Sequence, residues 1–272
     1  MSGFRRDSRA NRLENFAVVP DASGHQLWLR GPLEVIPQIL LCDPRYVDVT
    51  RPAILGPQWT HWLWGPGGSP SPDTHALVTL LGEVLTLPAA PNLDFAITLD
   101  WYKVPEDGVP GDRWANSRLG QLVHRGKYWY KADPDGQRTV GLPLVADLLG
   151  IIQRHPVLRR ANRVASVPGH DRELLNFGAR VAATVARDLP LPLARVTCVT
   201  PYRPEAKTLP RDAKRQMLAN TFRCDHTLTD ETVLIVDDVY ASGSTMCETA
   251  RALRAAGAAA VYGLTAVRTM RA

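Results

Sequence analysis

Two adjacent carboxylates, Asp237 and Asp238, close the apolar run Val233-Leu234-Ile235-Val236, and the small-residue loop Ala241-Ser242-Gly243-Ser244-Thr245 follows them. Carboxylates accept hydrogen bonds from neighbouring hydroxyls, so the acidic pair suits a sugar diol. The same oxygens suit Mg²⁺, a hard cation held by few carboxylates together with phosphates. The loop offers hydroxyl donors from Ser242, Ser244 and Thr245. Gly243 lets the backbone approach a ligand without a Cβ in the way. Either half alone is ordinary: acids often open solvated loops, and Ser/Gly segments often cap helices. Together and in this order they point to a ligand carrying both a diol and a phosphate.

The flanking residues must position this chemistry. Four aliphatic residues in a row read as a strand buried on both faces, as in parallel sheets covered by helices. Ligands of open α/β sheets bind beyond the carboxyl ends of such strands, where Asp237 and Asp238 fall. Residues Met246 to Arg254 read as an amphipathic helix whose free N–H groups and dipole end favour a phosphate. Gly257 reads as its stop and Ala259 to Val267 as the next strand, giving a β-loop-α-β unit. Other phosphate-binding patterns are missing. There is no G-x-x-x-x-G-K-[ST] and no G-x-G-x-x-G opening a βαβ unit.

The segment VLIVDDVYASGST closely resembles the phosphoribosyl-diphosphate (PRPP) motif of the type I phosphoribosyltransferases. The resemblance implies that Asp237 and Asp238 bind the ribose hydroxyls and help hold Mg²⁺, and that Ala241, Ser242, Gly243, Ser244 and Thr245 cradle the 5′-phosphate. Upstream, Val164-Ala165-Ser166-Val167-Pro168 is similar to the family's first core strand, and Gly169-His170-Asp171 falls where its pyrophosphate loop lies. A helix is expected over Arg172 to Asp188 and a second strand over Arg195 to Thr200. Pro201 to Asp230 is long, polar and basic, and in the family a mobile loop closes over PRPP in this interval. Lys207 and Arg211 are the cations there expected to neutralise the leaving pyrophosphate. Within the superfamily the chain looks most like the ComF-type branch, through the first-strand Val-Pro, Lys207-Thr208, Arg215, Asn220, Phe222 and the DDVY acids. It departs from that branch in having no cysteine-rich zinc module: Cys42, Cys198, Cys224 and Cys247 form no C-x-x-C pair. Ala241 stands where hypoxanthine-guanine enzymes carry an Asp base, which disfavours that substrate.

Composition agrees with a globular chain of 272 residues, 45% of them apolar. No run of eighteen apolar residues is present, so no membrane helix is expected. The first residues lack an apolar core, so no secretory leader is expected, and few scattered cysteines fit a reducing cytoplasm. Charge is uneven. Residues 1–150 carry 14 Lys/Arg against 16 Asp/Glu, and residues 151–272 carry 18 against 11, so the positive excess falls where a polyanionic ligand is expected.

All seven tryptophans precede residue 130, and Asp133-Pro134-Asp135-Gly136 reads as a turn or linker. The expected division is therefore a mixed, β-leaning, Trp-rich domain over 1–140 and an α/β domain over 141–272, a parallel sheet flanked by helices. In the first part Phe95 to Trp101 reads as a strand, and Ala76 to Leu87 as a helix or strand. His124 to Tyr130 interleaves bases with aromatics, a pattern found both in nucleic-acid surfaces and in ordinary small cores. The expected activity is transfer of phosphoribosyl from PRPP, with Mg²⁺, to an unidentified small-molecule acceptor, releasing pyrophosphate. The alternative is a non-catalytic PRPP- or nucleotide-binding regulator, or a ComF-like protein associated with DNA uptake or nucleic acid. A homodimer is compatible with either.

Overall fold

The computed structural model describes residues 11–50, 58–88, 90–169, 176–200 and 211–270. The chain divides into two compact units. One comprises Arg6–Pro88 with Ile151–Arg160, the other Ala89–Gly150 with Ala161–Ala272.

The N-terminal unit holds β1 (Asn15–Asp21), β2 (Gly24–Arg30), α1 (Val35–Cys42), β3 (Val47–Asp48), β4 (His61–Pro66), α2 (Pro72–Leu81) and β5 (Leu85–Thr86). Four of these strands form an antiparallel sheet of order β1-β2-β4-β3. Alternation along β2 buries His25, Leu27 and Leu29 and leaves Gln26 and Trp28 on the other face, the pattern of a sheet with one packed side. Trp28 and Trp62 are paired in register and their rings lie 5.8 Å apart. Ser71 caps α2 by accepting from Thr74 N at 3.2 Å, and Pro72 occupies the first turn, where its missing N–H costs nothing. Ala76 to Leu87 thus splits into the end of a helix and a short strand.

The second unit holds β6 (Phe95–Trp101), α3 (Arg118–His124), a π-helical turn (Arg125–Trp129), all but the last turn of α4 (Pro134–Arg154), β7 (Arg163–Ser166), α5 (Phe177–Asp188), β8 (Leu193–Ala194), β9 (Val196–Cys198), α6 (Arg211–Leu218), β10 (Phe222–Cys224), β11 (Thr232–Tyr240), α7 (Ser244–Ala255) and β12 (Ala260–Arg268). Its sheet runs β6-β12-β11-β7-β8, parallel throughout. Val233 to Val236 are fully buried, as are Val261, Leu264, Ala266 and Val267 of β12. Each Val, Leu or Ile side chain so buried contributes on the order of 1.5–3 kcal/mol. The fold is α/β, a parallel sheet flanked by helices, accompanied by the antiparallel Trp-bearing sheet.

Three sequence expectations change. The division near residue 140 falls inside α4, and Phe95–Trp101 belongs with the C-terminal sheet, because β6 pairs along its length with β12. The strand expected over Arg195 to Thr200 is not a member of that sheet: β9 pairs antiparallel with β10, while two-residue β8 is the parallel neighbour of β7. The interval Pro201 to Asp230 is not one long loop, since α6 and β10 lie within it. Glu248 of α7 secures β10 by accepting from Phe222 N at 3.3 Å, and Arg251 donates to Phe222 O at 2.7 Å. Helix α5 is recorded from Phe177, after Asn176, whose side chain accepts from Ala179 N at 2.8 Å. The expected residues 172–175 of that helix lie outside the described residues.

Candidate functional site

The strand β11 carries Asp237 and Asp238 to the carboxyl edge of the sheet, where α7 begins four residues after β11 ends. A cleft of about 340 Å³ opens there. Its lining includes Lys127, Gly169, Asn176, Asp237, Asp238, Ala241, Ser242, Gly243 and Thr245. Ser244 does not line it: that residue is buried at the start of α7, and Ser242 Oγ donates to its hydroxyl at 3.1 Å. His170 and Lys207 lie outside the described residues, as does the side chain of Arg211, whose backbone opens α6.

Backbone geometry shapes the loop. Gly243 has φ +77°, a left-handed conformation that disfavours any side chain. A Cβ there would also lie 2.1 Å from the Tyr240 hydroxyl oxygen. This tight turn brings the start of α7 beside the cleft, where Ser244 N donates to Ser242 Oγ at 3.4 Å and Gly243 and Thr245 line the wall. Arg268, buried at the end of β12, holds this turn in place. Its guanidinium donates to the carbonyls of Tyr240 and Ala241 and stacks 5.1 Å from the centroid of the Tyr240 ring.

The acidic pair is positioned from two sides. Helix α5 approaches so closely that a Cβ on Gly178 would sit 2.5 Å from Asp237 Oδ1 and 3.3 Å from Asp238 Cγ. The carboxylates thus stand against the N-terminal turn of a helix, where negative charge is favoured. Asp237 Oδ1 also accepts from Asp238 N at 3.0 Å. On the other side Lys127 Nζ donates to Asp238 Oδ1 at 2.9 Å, with the aspartate side chain only 4% exposed. Burial pulls the Lys127 ammonium toward deprotonation, but the charges of Asp238 and Asp237 outweigh it and hold the group above its ordinary value.

Lys127 was visible in the sequence only as one base in His124-Arg125-Gly126-Lys127-Tyr128-Trp129-Tyr130. The π-helical turn that carries it has no sequence signature, and such turns occur often at functional sites. Its partner is 111 residues away in the chain.

The oxygens present suit Mg²⁺ in chemistry. Among the described residues no group of three or more His, Cys, Asp or Glu could cage an ion. Asp237 and Asp238 would therefore contribute one or two carboxylate oxygens, with ligand phosphates completing the shell, the usual arrangement for this cation. Among the described residues no helix is long and apolar enough to cross a membrane. Cys42, Cys198, Cys224 and Cys247 form no disulfide among the described residues.

Comparison with known proteins bears on residues 174–270, which match the family model described as phosphoribosyl transferase domain. No curated protein matches the chain. Among solved structures, similarity is found to a purine phosphoribosyltransferase from Pyrococcus horikoshii Ot3, at 15% identity and TM-score 0.32, covering 53% of this chain and 85% of that one. It is also found to an adenine phosphoribosyltransferase from Leishmania tarentolae, at 14% identity and TM-score 0.34, covering 68% and 81% respectively.

Proposed function

We propose that the protein is a phosphoribosyltransferase that takes PRPP with Mg²⁺ and transfers the phosphoribosyl group to a small-molecule acceptor, releasing pyrophosphate. The observation that carries this reading is that Asp237 and Asp238 share one cleft with Ala241, Ser242, Gly243 and Thr245 at the start of α7. Asp237 and Asp238 accept from the ribose hydroxyls. The backbone N–H groups of the turn and the hydroxyls of Ser242 and Thr245 receive the 5′-phosphate. With both ends of the sugar held, the anomeric carbon is fixed in the cleft, which converts an encounter into an oriented, effectively unimolecular step.

The acceptor's nucleophilic atom forms its bond to that carbon as the bond to the pyrophosphate oxygen breaks. The bonding pair leaves with pyrophosphate, and a proton displaced from the acceptor passes to solvent. Bound Mg²⁺ supplies positive charge that offsets the charge of the departing diphosphate. Lys207, Arg211 and His170, with Gly169, are proposed to face the diphosphate. We assign the chain to the ComF-type branch without its zinc module, on Val167-Pro168 and the DDVY acids, and expect it to act in the cytoplasm.

The test is direct. Purified protein with Mg²⁺ and PRPP is titrated by calorimetry, then assayed for pyrophosphate release against a panel of acceptors. The reading requires PRPP binding that falls at least about tenfold in the Asp237→Asn, Asp238→Asn double variant. Unchanged affinity in that variant overturns the site. Binding without pyrophosphate release from any acceptor favours the regulatory alternative.

A further inference from the structure

A second cavity, of about 650 Å³, shares three wall residues with the first: Lys127, Val239 and Ala241. Its size is that of a small-molecule site. The segment that closes its far side is built rather than loose. Lys103 and Asn116 form an antiparallel bridge, Val104 N donates to Ala115 O at 2.9 Å, and Ser117 N donates to Tyr102 O at 3.0 Å. The Trp114 indole N–H donates to Glu106 O and Val109 O, which fixes that ring as a wall. Tyr102 faces the same space, with its hydroxyl 3.1 Å from His124 Nδ1, and the Tyr128 ring lies 5.0 Å from that imidazole.

Two lysines, Lys103 and Lys127, and one acidic residue, Asp112, lie on the wall of this cavity. Lys127 is neutralised by Asp238, but Lys103 is not. Among the described residues its ammonium donates to two neutral carbonyls, Gly111 O at 3.0 Å and Asp112 O at 2.7 Å, and no carboxylate pairs with it. Tyr102, Trp114 and Tyr128 offer aromatic surface against which a planar ring would stack, and an anionic substituent would meet the ammonium with a charge-assisted hydrogen bond. A polynucleotide is less well matched, since its affinity comes from many phosphate–cation contacts and here Lys103 is the one wall lysine without an ion pair among the described residues.

We propose that this cavity is the acceptor chamber, and that its acceptor is a planar aromatic heterocycle carrying a carboxylate or comparable anionic group, selected by Lys103 against the aromatic walls of Tyr102, Trp114 and Tyr128. The proposal rests on the phosphoribosyltransferase reading for what lies across the shared wall. It extends that reading to the chemistry of the acceptor.

The experiment measures binding of matched pairs that differ only in charge, pyridine-3-carboxylate against pyridine-3-carboxamide and pyrimidine-4-carboxylate against its amide. Quenching of tryptophan fluorescence is the readout, with Trp114→Phe to assign the signal. The expected result is that at least one acid binds about tenfold or more tighter than its amide. Its quenching is lost in W114F, and its preference is lost in K103M but kept in K103R. Equal affinity within every pair overturns the proposal, as does quenching that persists in W114F or an acid preference that survives K103M. If K103M does not fold, the acid-to-amide ratio and the W114F control in otherwise native protein still decide. PRPP titration of the same preparation separates the two readings. PRPP binding without acid preference sinks only the acceptor assignment. Failure to bind PRPP sinks the donor reading, whatever the acids do.

Discussion

Lys127 Nζ and Asp238 Oδ1 are 2.9 Å apart, joining a π-helical turn to the carboxyl end of β11 across 111 residues of sequence. The pair is lopsided: the aspartate is buried and the lysine side chain is about one-third exposed. Removing the cation therefore strands a buried charge, whereas removing both partners does not. Lys127→Met is expected to cost about 1–3 kcal/mol, a range discounted for the solvent that reaches the ammonium. Adding Asp238→Asn to that variant is expected to recover part of the loss. Urea midpoints of the four proteins in a double-mutant cycle measure this, and additivity of the two losses would remove the coupling.

The same pair sets an alkaline limit. Its neighbours raise the Lys127 pKa above the unfolded value of 10.5. The stabilisation is then complete below that unfolded value and is lost as pH rises through the higher folded one. Wild-type and K127M stabilities should converge above pH 10.5. A constant difference across that range contradicts the assignment.

Gly178 and Asp237 make a prediction whose sign is diagnostic. Gly→Ala inside a helix ordinarily stabilises by about 0.5–1 kcal/mol. Here the new methyl would lie 2.5 Å from Asp237 Oδ1, so the carboxylate must move. G178A is expected to weaken PRPP binding about tenfold or more while leaving helix content intact. Calorimetry with circular dichroism checks both, and unaltered PRPP affinity would show that the Asp237 position is not used.

How far the sequence revealed this arrangement depended on range. The run Val233 to Val236, the acids behind it and the helix start after Gly243 follow from local residue types, and so did the strand Phe95–Trp101. The sheet to which that strand belongs did not, because Thr98 meets Thr265 through a pairing 167 residues apart. Lys127 was hidden for the same reason. The short β10 lacked the length for a periodic signal, and what fixes it is a long-range bond from Phe222 N to Glu248.

Thr98 and Thr265 stand in register with one another, and Thr265 with Asp237, yet both hydroxyls are buried and, among the described residues, without a hydrogen-bond partner. An unmade buried bond costs about 1–3 kcal/mol. Thr265→Val, which keeps the shape and removes the hydroxyl, is expected to raise stability by about 1 kcal/mol rather than lower it. A lower thermal midpoint would mean that the hydroxyl is satisfied when the protein is in water.

His155 gives the acid counterpart. It is fully buried in the N-terminal unit, and burial drives its pKa from 6.5 down to about 3. The imidazole must stay neutral, because Nδ1 accepts from Val157 N at 3.2 Å and Leu158 N at 3.3 Å while Nε2 bonds Gln38 Oε1 at 3.1 Å. Between those two pKa values the unfolded chain binds a proton that the folded chain refuses, so stability falls as pH falls. The slope is at most about 1.4 kcal/mol per pH unit, beginning near pH 6.5 and ending near pH 3. Denaturant midpoints between pH 4 and pH 7 should follow it in wild type. His155→Asn is less stable at neutral pH, since the ring's packing and one or more of its bonds are lost, but it does not titrate here and its acid slope should be shallower. Identical slopes in the two proteins would place the source of acid sensitivity elsewhere, among the carboxylates held by Arg45, Arg154 and Arg163, whose Asp43, Glu83 and Glu231 partners all have lowered pKa values.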